Sequence, residues 1–295
     1  MQESSLLDAI NGAYERRSRE ANRFPVRGSS IGSCPRQLAA LLNGHEPRSL
    51  DGPVLRVFEM GSSRGESLAK VISEAYTTVL LEHEGLVPTS IEGERARQIM
   101  EKASDQFGHG DDSMLGKLPL AIDATGQLCI RVHCDVLING DRGLVKLIEI
   151  KTKNQWGFKK LDEEGIGESY EMQVKAQVEG LANIGIDVES ASVLFENKDN
   201  CELKLMPFNP DDPDVAGRFA LQMQRIRTML LGWLDEAPFD ASPAVHTAPF
   251  EGKAGKLPWQ CNYCNVGPEA GRCVDQLRLR NTKPTQRIPK WEVTA

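Results

Sequence analysis

The spacing of hydrophobic positions changes along the chain. Up to about residue 107 these positions recur with helical spacing, which predicts helices over 35–42, 54–80 and 92–107. Pro35 suits the first turn of the first helix, and Gly44 suits its end. A largely helical N-terminal part is therefore expected.

Short runs of β-prone residues follow, separated by turn signals such as Thr125-Gly126 and Asn139-Gly140. They predict strands over 118–122, 128–138, 144–152, 190–197 and 201–207, with helices over 169–184 and 215–234. Because strands and helices do not alternate regularly, the pattern favours an α/β fold with a small mixed sheet flanked by helices.

Composition suggests three regions within one integrated domain. We expect a helical region at 1–107, an α/β core at 108–236, and a segment rich in Pro, Gly and Cys with a basic tail at 237–295. No apolar run approaches the roughly 18 residues of a membrane span. The start of the chain lacks a secretory signal, so a cytoplasmic protein is expected.

Two carboxylates and a lysine lie in the apolar runs of the first predicted hairpin. Asp135 is in the first strand, and Glu149 and Lys151 are in the second, where residues two apart share one face. Carboxylates in apolar strands are costly unless they are paired or bind a metal, and hard oxygen ligands favour Mg²⁺ or Mn²⁺. The arrangement indicates metal-dependent phosphodiester hydrolysis, with the ammonium beside an activated water. The alternative is an ordinary hairpin with an exposed Glu–Lys pair.

The helix predicted after this hairpin carries Tyr170, Gln173 and Gln177 at positions i, i+3 and i+7, roughly on one side. Gln173 is therefore a candidate to reach a metal-bound water or a phosphate. The alternative is a solvated polar face of the helix.

The seven cysteines favour a metal or redox role over disulfides in a cytosolic protein. Cys261, Cys264 and Cys273 are closely spaced in the C-terminal segment. The fourth ligand could be Cys34, Cys129, Cys134 or Cys201. The last three lie in strand-like surroundings, where they are expected to be small buried apolar residues. Four thiolates can hold Zn²⁺ or an iron–sulphur cluster.

These motifs, taken in order, resemble the RecB-like branch of the PD-(D/E)XK nucleases. The resemblance is carried by Cys34-Pro35-Arg36, Asp135, Glu149-Ile150-Lys151-Thr152, Phe158-Lys159 and Tyr170-x-x-Gln173. The C-terminal cysteines are similar to those of its iron–sulphur subgroup, which includes CRISPR-associated exonucleases, AddB-type helicase-nucleases and phage relatives.

The resemblance implies a restriction-endonuclease-like core that cleaves DNA with Mg²⁺ or Mn²⁺, most readily as a single-strand exonuclease. Asp135, Glu149 and the Ile150 carbonyl would bind the metal, Lys151 would act on the water, and Gln173 would position it. A structural 4Fe–4S cluster, with Zn²⁺ as the alternative, would be held by Cys34, Cys261, Cys264 and Cys273.

The sequence departs from the family pattern at three positions. Val132 replaces a common Gly, Gln177 replaces a common Tyr, and Gly65 stands where a metal-binding His is usual, leaving Glu66 as an outer ligand or base. There are two rival interpretations of the whole chain. One is an inactive relative that binds DNA ends, and the other is a zinc-stabilised interaction protein.

The expected partner is DNA, as single strands or ends, although the net charge of −7 argues mildly against a nucleic-acid partner. Residues 141–160 nevertheless carry six basic residues against two acidic ones. Candidate DNA contacts are Lys153, Lys159, Lys160, Tyr170 and Lys198. The resemblance implies a phage or mobile-element protein in the host cytoplasm, with recombination or CRISPR-adaptation proteins as partners.

Overall fold

The computed structural model describes residues 8–14, 24–44, 52–76, 79–107, 118–140 and 143–236. The chain divides into two compact units. One comprises Met1–Gly32 with Leu50–Met223, and the other comprises Ser33–Ser49 with Gln224–Ala295. The first unit contains the sheet and all the candidate active-site residues except Cys34, Cys261, Cys264 and Cys273.

Seven helices and six strands form the regular structure of the described residues beyond residue 30. The helices are α1 (Pro35–Leu42), α2 (Gly52–Ala75), α3 (Gly93–Phe107), α4 (Gln155–Lys159), α5 (Leu161–Glu164), α6 (Glu168–Asn183) and α7 (Pro213–Leu234). The strands are β1 (Val79–Glu92), β2 (Leu120–Ile122), β3 (Gln127–Asn139), β4 (Val145–Lys153), β5 (Val188–Asn197) and β6 (Leu203–Phe208).

The six strands form one sheet in the order β1-β3-β4-β5-β6, with β2 paired to β3. All neighbours are antiparallel except β4 and β5, which run parallel. A parallel pair needs a crossover, and α4, α5 and α6 provide it. This connection brings α6 back across the sheet, where it packs against β1, β3 and β5.

The predicted α/β class, with a sheet flanked by helices, is confirmed, and so are the five predicted strands. The helix predicted over 54–80 is wrong at its end, because α2 stops at Ala75 and residues 79–92 form β1. β1 pairs with β3 along most of its length. The sheet therefore includes a strand from within the region 1–107 that was expected to be helical.

One face of the β3–β4 hairpin packs against α2. Leu68, Ala69 and Ile72 of the helix contact a cluster of hairpin side chains made of Val136, Ile138, Ile148 and Ile150. Because side chains alternate along a strand, Glu149 points away from α2. The α2 packing therefore orients the carboxylate toward the opposite side of β4.

Helix α6 approaches the sheet closely where glycines face each other. A Cβ added at Gly180 would lie 2.7 Å from Val132 Cγ2, and one added at Gly85 of β1 would lie 2.7 Å from the Gly180 carbonyl carbon. Gly28 leaves similar room for the other methyl group of Val132, because a Cβ added at Gly28 would lie 2.8 Å from Val132 Cγ1. These glycines accommodate a valine at the position where the resembled family commonly has glycine.

We expect Gly180→Ala to lower the free energy of unfolding by about 1–2 kcal/mol, because overpacking outweighs the gain in helix propensity. The matched control is Gly217→Ala in α7, where an added Cβ meets nothing within 4 Å, so a small stabilisation is expected. Urea unfolding of both variants measures the difference. Equal stabilisation by the two substitutions would contradict the close approach of α6.

Candidate active site

The candidate site lies where β3 and β4 separate. The two strands pair only over 136–139 and 145–148. Just beyond this pairing, Asp135 Oδ2 accepts a hydrogen bond of 2.8 Å from the backbone N–H of Ile150. The carboxylate of Asp135 thus replaces the next bond of the ladder and is held beside the backbone of Glu149 and Lys151.

Glu149 is buried, with 1% of its surface exposed, and three side chains donate to it. Oε1 accepts from the Lys151 ammonium and, at 2.6 Å, from Gln173 Nε2. Oε2 accepts from Gln177 Nε2 at 2.5 Å. Three polar side chains from β4 and α6 therefore meet at the carboxylate of Glu149.

The pKa of Glu149 is raised to about 7, first by burial and then by the negative charge of Asp135. The charge of Lys151 and the hydrogen bonds from Gln177 and Lys151 partly offset these effects. Two carboxylates close together in a buried place repel each other, which is the condition that a bound cation relieves.

The Lys151 ammonium lies between Glu149 and the ring of Tyr170, whose centroid is 5.6 Å away. Burial lowers the pKa of Lys151, but the charge and hydrogen bond of Glu149 outweigh burial and leave the pKa raised. Lys151 is therefore a cation at neutral pH. Lys153 lies 5.1 Å from the same ring, and burial lowers its pKa.

Gln177 is a site residue whose role the sequence did not reveal. Its side chain is 1% exposed, and Nε2 donates both to Glu149 and, at 2.7 Å, to the carbonyl of His133 in β3. It therefore bridges the gap between the separating strands. Gln177 Oε1 is buried without a hydrogen-bond partner among the described residues. Its spacing of four residues from Gln173, on roughly the same side of the helix, was the available signal.

The residues at this site fit a hard divalent cation in their donor chemistry. Asp135 and Glu149 supply carboxylate oxygens, and the partnerless Gln177 Oε1 is an amide oxygen of the type that Mg²⁺ and Mn²⁺ accept. Within the described ranges, no group of three or more His, Cys, Asp or Glu side chains could hold a metal. Carbonyl oxygens, such as that of Ile150, and water are also ligands of the type that such a cation accepts.

The remaining predicted site residues lie on α2, on α4 and in the turn after β5. Gly65 faces β4, since a Cβ added there would be 3.9 Å from Ile150 Cγ2. Glu66 is exposed on α2 and makes no hydrogen bond or ion pair with a described residue, so its role stays a prediction. Lys159 is exposed, and Lys198 is half-buried in the turn after β5.

The predicted cysteine site lies mostly beyond the described part of the chain. Cys34 directly precedes α1 and is half-buried, whereas Cys261, Cys264 and Cys273 lie outside the described residues. Cys129 and Cys134 are buried, as expected for small apolar residues, and burial raises the pKa of the Cys129 thiol to about 12. Cys201 was expected to be buried as well, but it is exposed in a left-handed turn.

Among the described residues, no helix is both long and apolar enough to cross a membrane. No model of a known protein family matches the chain, and no curated protein matches it. The crystal structure of SSO0001 aligns with 88% of this chain and 93% of that chain, at 12% sequence identity and a TM-score of 0.41. A likeness at this TM-score supports no conclusion about fold or function.

Proposed function

We propose that the chain is a metal-dependent deoxyribonuclease with a RecB-like PD-(D/E)XK core, acting chiefly as an exonuclease on single-stranded DNA. The observation that carries the proposal is the meeting of Asp135, Glu149, Lys151 and Gln173 where β3 and β4 separate. These are the four residues that the resemblance assigns to catalysis. They come from three elements, so chance pairing within one hairpin does not account for them.

Each residue has a role that follows from its contacts. Asp135 and Glu149 would hold Mg²⁺ or Mn²⁺, which would lower the pKa of a bound water and neutralise charge on the phosphate. Lys151, charged and bonded to Glu149, would orient the attacking water and stabilise the negative charge that develops on the phosphoryl oxygens. Gln173 and Gln177 fix the Glu149 carboxylate from α6.

The proposal includes a structural 4Fe–4S cluster held by Cys34, Cys261, Cys264 and Cys273, with Zn²⁺ as the alternative. Cys34 precedes α1 in an extended conformation, with Pro35 in the first turn. Such a cluster would join distant parts of the chain and stabilise the folded state through loop closure. The proposed setting remains a phage or mobile element, with DNA recombination or CRISPR-adaptation proteins as partners.

A second candidate function is an inactive relative that binds DNA ends. One observation favours it: both oxygens of Glu149 already accept hydrogen bonds from protein donors. A carboxylate satisfied in this way can be a structural element of the gap between the strands. A cation would then have to displace at least one of these donors.

The deciding experiment measures hydrolysis of end-labelled single-stranded DNA by protein purified without oxygen. Cleavage with Mn²⁺ or Mg²⁺ that EDTA abolishes supports the nuclease. Retained binding of DNA ends with no cleavage under any divalent cation would favour the inactive relative. Neither binding nor cleavage, together with a colourless zinc-containing preparation, would favour the interaction protein.

A further inference from the structure

Trp156 presents a large aromatic surface beside the candidate site. It exposes 69% of its surface, more than any other large hydrophobic side chain of the described residues. It lies in α4, which directly follows β4, five residues after Lys151. The chain between them spans at most about 18 Å even when fully extended. An exposed indole in this place has no role in the core.

The helix that carries Trp156 is firmly held. Asn154 caps it by accepting a 2.9 Å hydrogen bond from the Gly157 N–H. Gln155 is bound to the turn after β5, donating its N–H to Asp199 at 2.6 Å and accepting from Asn197 at 2.6 Å. Phe158, on the other side of the helix, is buried. The exposure of Trp156 therefore comes from a fixed local structure.

A lysine lies directly beside the ring of Trp156, in a local sequence rich in lysine. The Lys160 ammonium lies 4.2 Å from the centroid of the indole ring, while also bonding Glu164 at 2.6 Å. Between residues 151 and 160 the chain contains four lysines and no acid, the acidic residues beginning only at Asp162. Lysines beside an exposed aromatic ring complement a ligand that combines phosphates with flat bases.

We propose that Trp156 is a base-stacking platform for single-stranded nucleic acid, with Lys153, Lys159 and Lys160 contacting the phosphates. This inference rests on the proposed function, because it names how that site would hold its strand. Every base has a π-face, so the contact is tolerant of sequence, as suits a strand that moves through the site. A duplex keeps its bases stacked inside and would not use the indole.

The test compares binding of a labelled oligothymidylate with binding of an abasic strand of equal length, by fluorescence anisotropy in EDTA to prevent cleavage. Trp156→Ala should weaken binding of the oligothymidylate roughly 5- to 150-fold, the effect of losing one stacked base. It should leave the weaker binding of the abasic strand unchanged. Trp156→Phe should restore most of the difference. Phe58→Ala, which removes another ring that is 59% exposed, is the matched control and should change neither affinity.

Equal loss of affinity for both strands, or no loss for either, would overturn the stacking role. So would a wild-type protein that binds only duplex DNA or binds no single strand. The two proposals fail separately. A protein that binds through Trp156 but never cleaves with Mn²⁺ removes the nuclease alone. One that cleaves normally after Trp156→Ala, with unchanged affinity, removes the platform alone.

Discussion

Replacement of Lys151 by methionine should reduce the rate of Mn²⁺-dependent DNA cleavage by about 10²- to 10⁴-fold, the usual range for losing a group that assists proton transfer or stabilises charge. Methionine keeps the length and apolar stem of lysine but removes its charge. Glu149 would lose the ammonium that holds it, and its pKa would rise further because burial and Asp135 already disfavour its charge. Single-turnover hydrolysis of an end-labelled strand measures this effect.

Lys153→Met is the matched control for this substitution. Lys153 lies two residues along the same strand and approaches the same ring of Tyr170, but it makes no hydrogen bond to Glu149. We expect Lys153→Met to weaken binding of the strand and to leave the single-turnover rate at saturating DNA within a few-fold of wild type. A rate loss of equal size in both variants would show that Lys151 acts through general surface charge. The proposed role at the water would then be wrong.

The hairpin that carries the candidate site was predictable because its signals are local. Apolar runs on either side of Asn139-Gly140 define two neighbouring strands, and the two-residue period places Glu149 and Lys151 on one face. The bond from Ile150 N–H to Asp135 joins these strands at the expected place. Only the point where they separate, which creates the room for the site, could not be derived from the period.

Long-range pairing accounts for what the sequence did not reveal. β1 carries Glu82 and Glu84 among its apolar residues, and its role as a strand depends on pairing with β3, about fifty residues away. Gln177 was predicted only to lie on the same side of its helix as Gln173 and was noted as a departure from the family pattern. Its bridge from Glu149 to the His133 carbonyl depends on the crossover that brings α6 over the gap. No local pattern encodes either contact.

The metal-free protein should lose stability as the pH rises from about 5 to about 8. The folded-state pKa of Glu149 is raised to about 7 from 4.5, so the folded state binds a proton more tightly than the unfolded chain does. The resulting stability is fully present below about pH 4.5 and is lost as the pH rises through about 7. A shift of this size corresponds to about 3 kcal/mol. Urea unfolding in EDTA at several pH values measures it.

Two comparisons separate Glu149 from the other titrating groups. In Glu149→Gln the pH slope from this position should vanish, whatever the absolute stability of the variant, because no proton is exchanged there. Mn²⁺ should stabilise the wild-type protein more at pH 8 than at pH 5.5, since the ion competes with a proton for the Glu149 carboxylate. If stability fell equally with pH in the wild type and in Glu149→Gln, the raised pKa of Glu149 would be wrong. Stabilisation by Mn²⁺ that is equal at both pH values would separate metal binding from this carboxylate and would favour Glu149 as a structural residue.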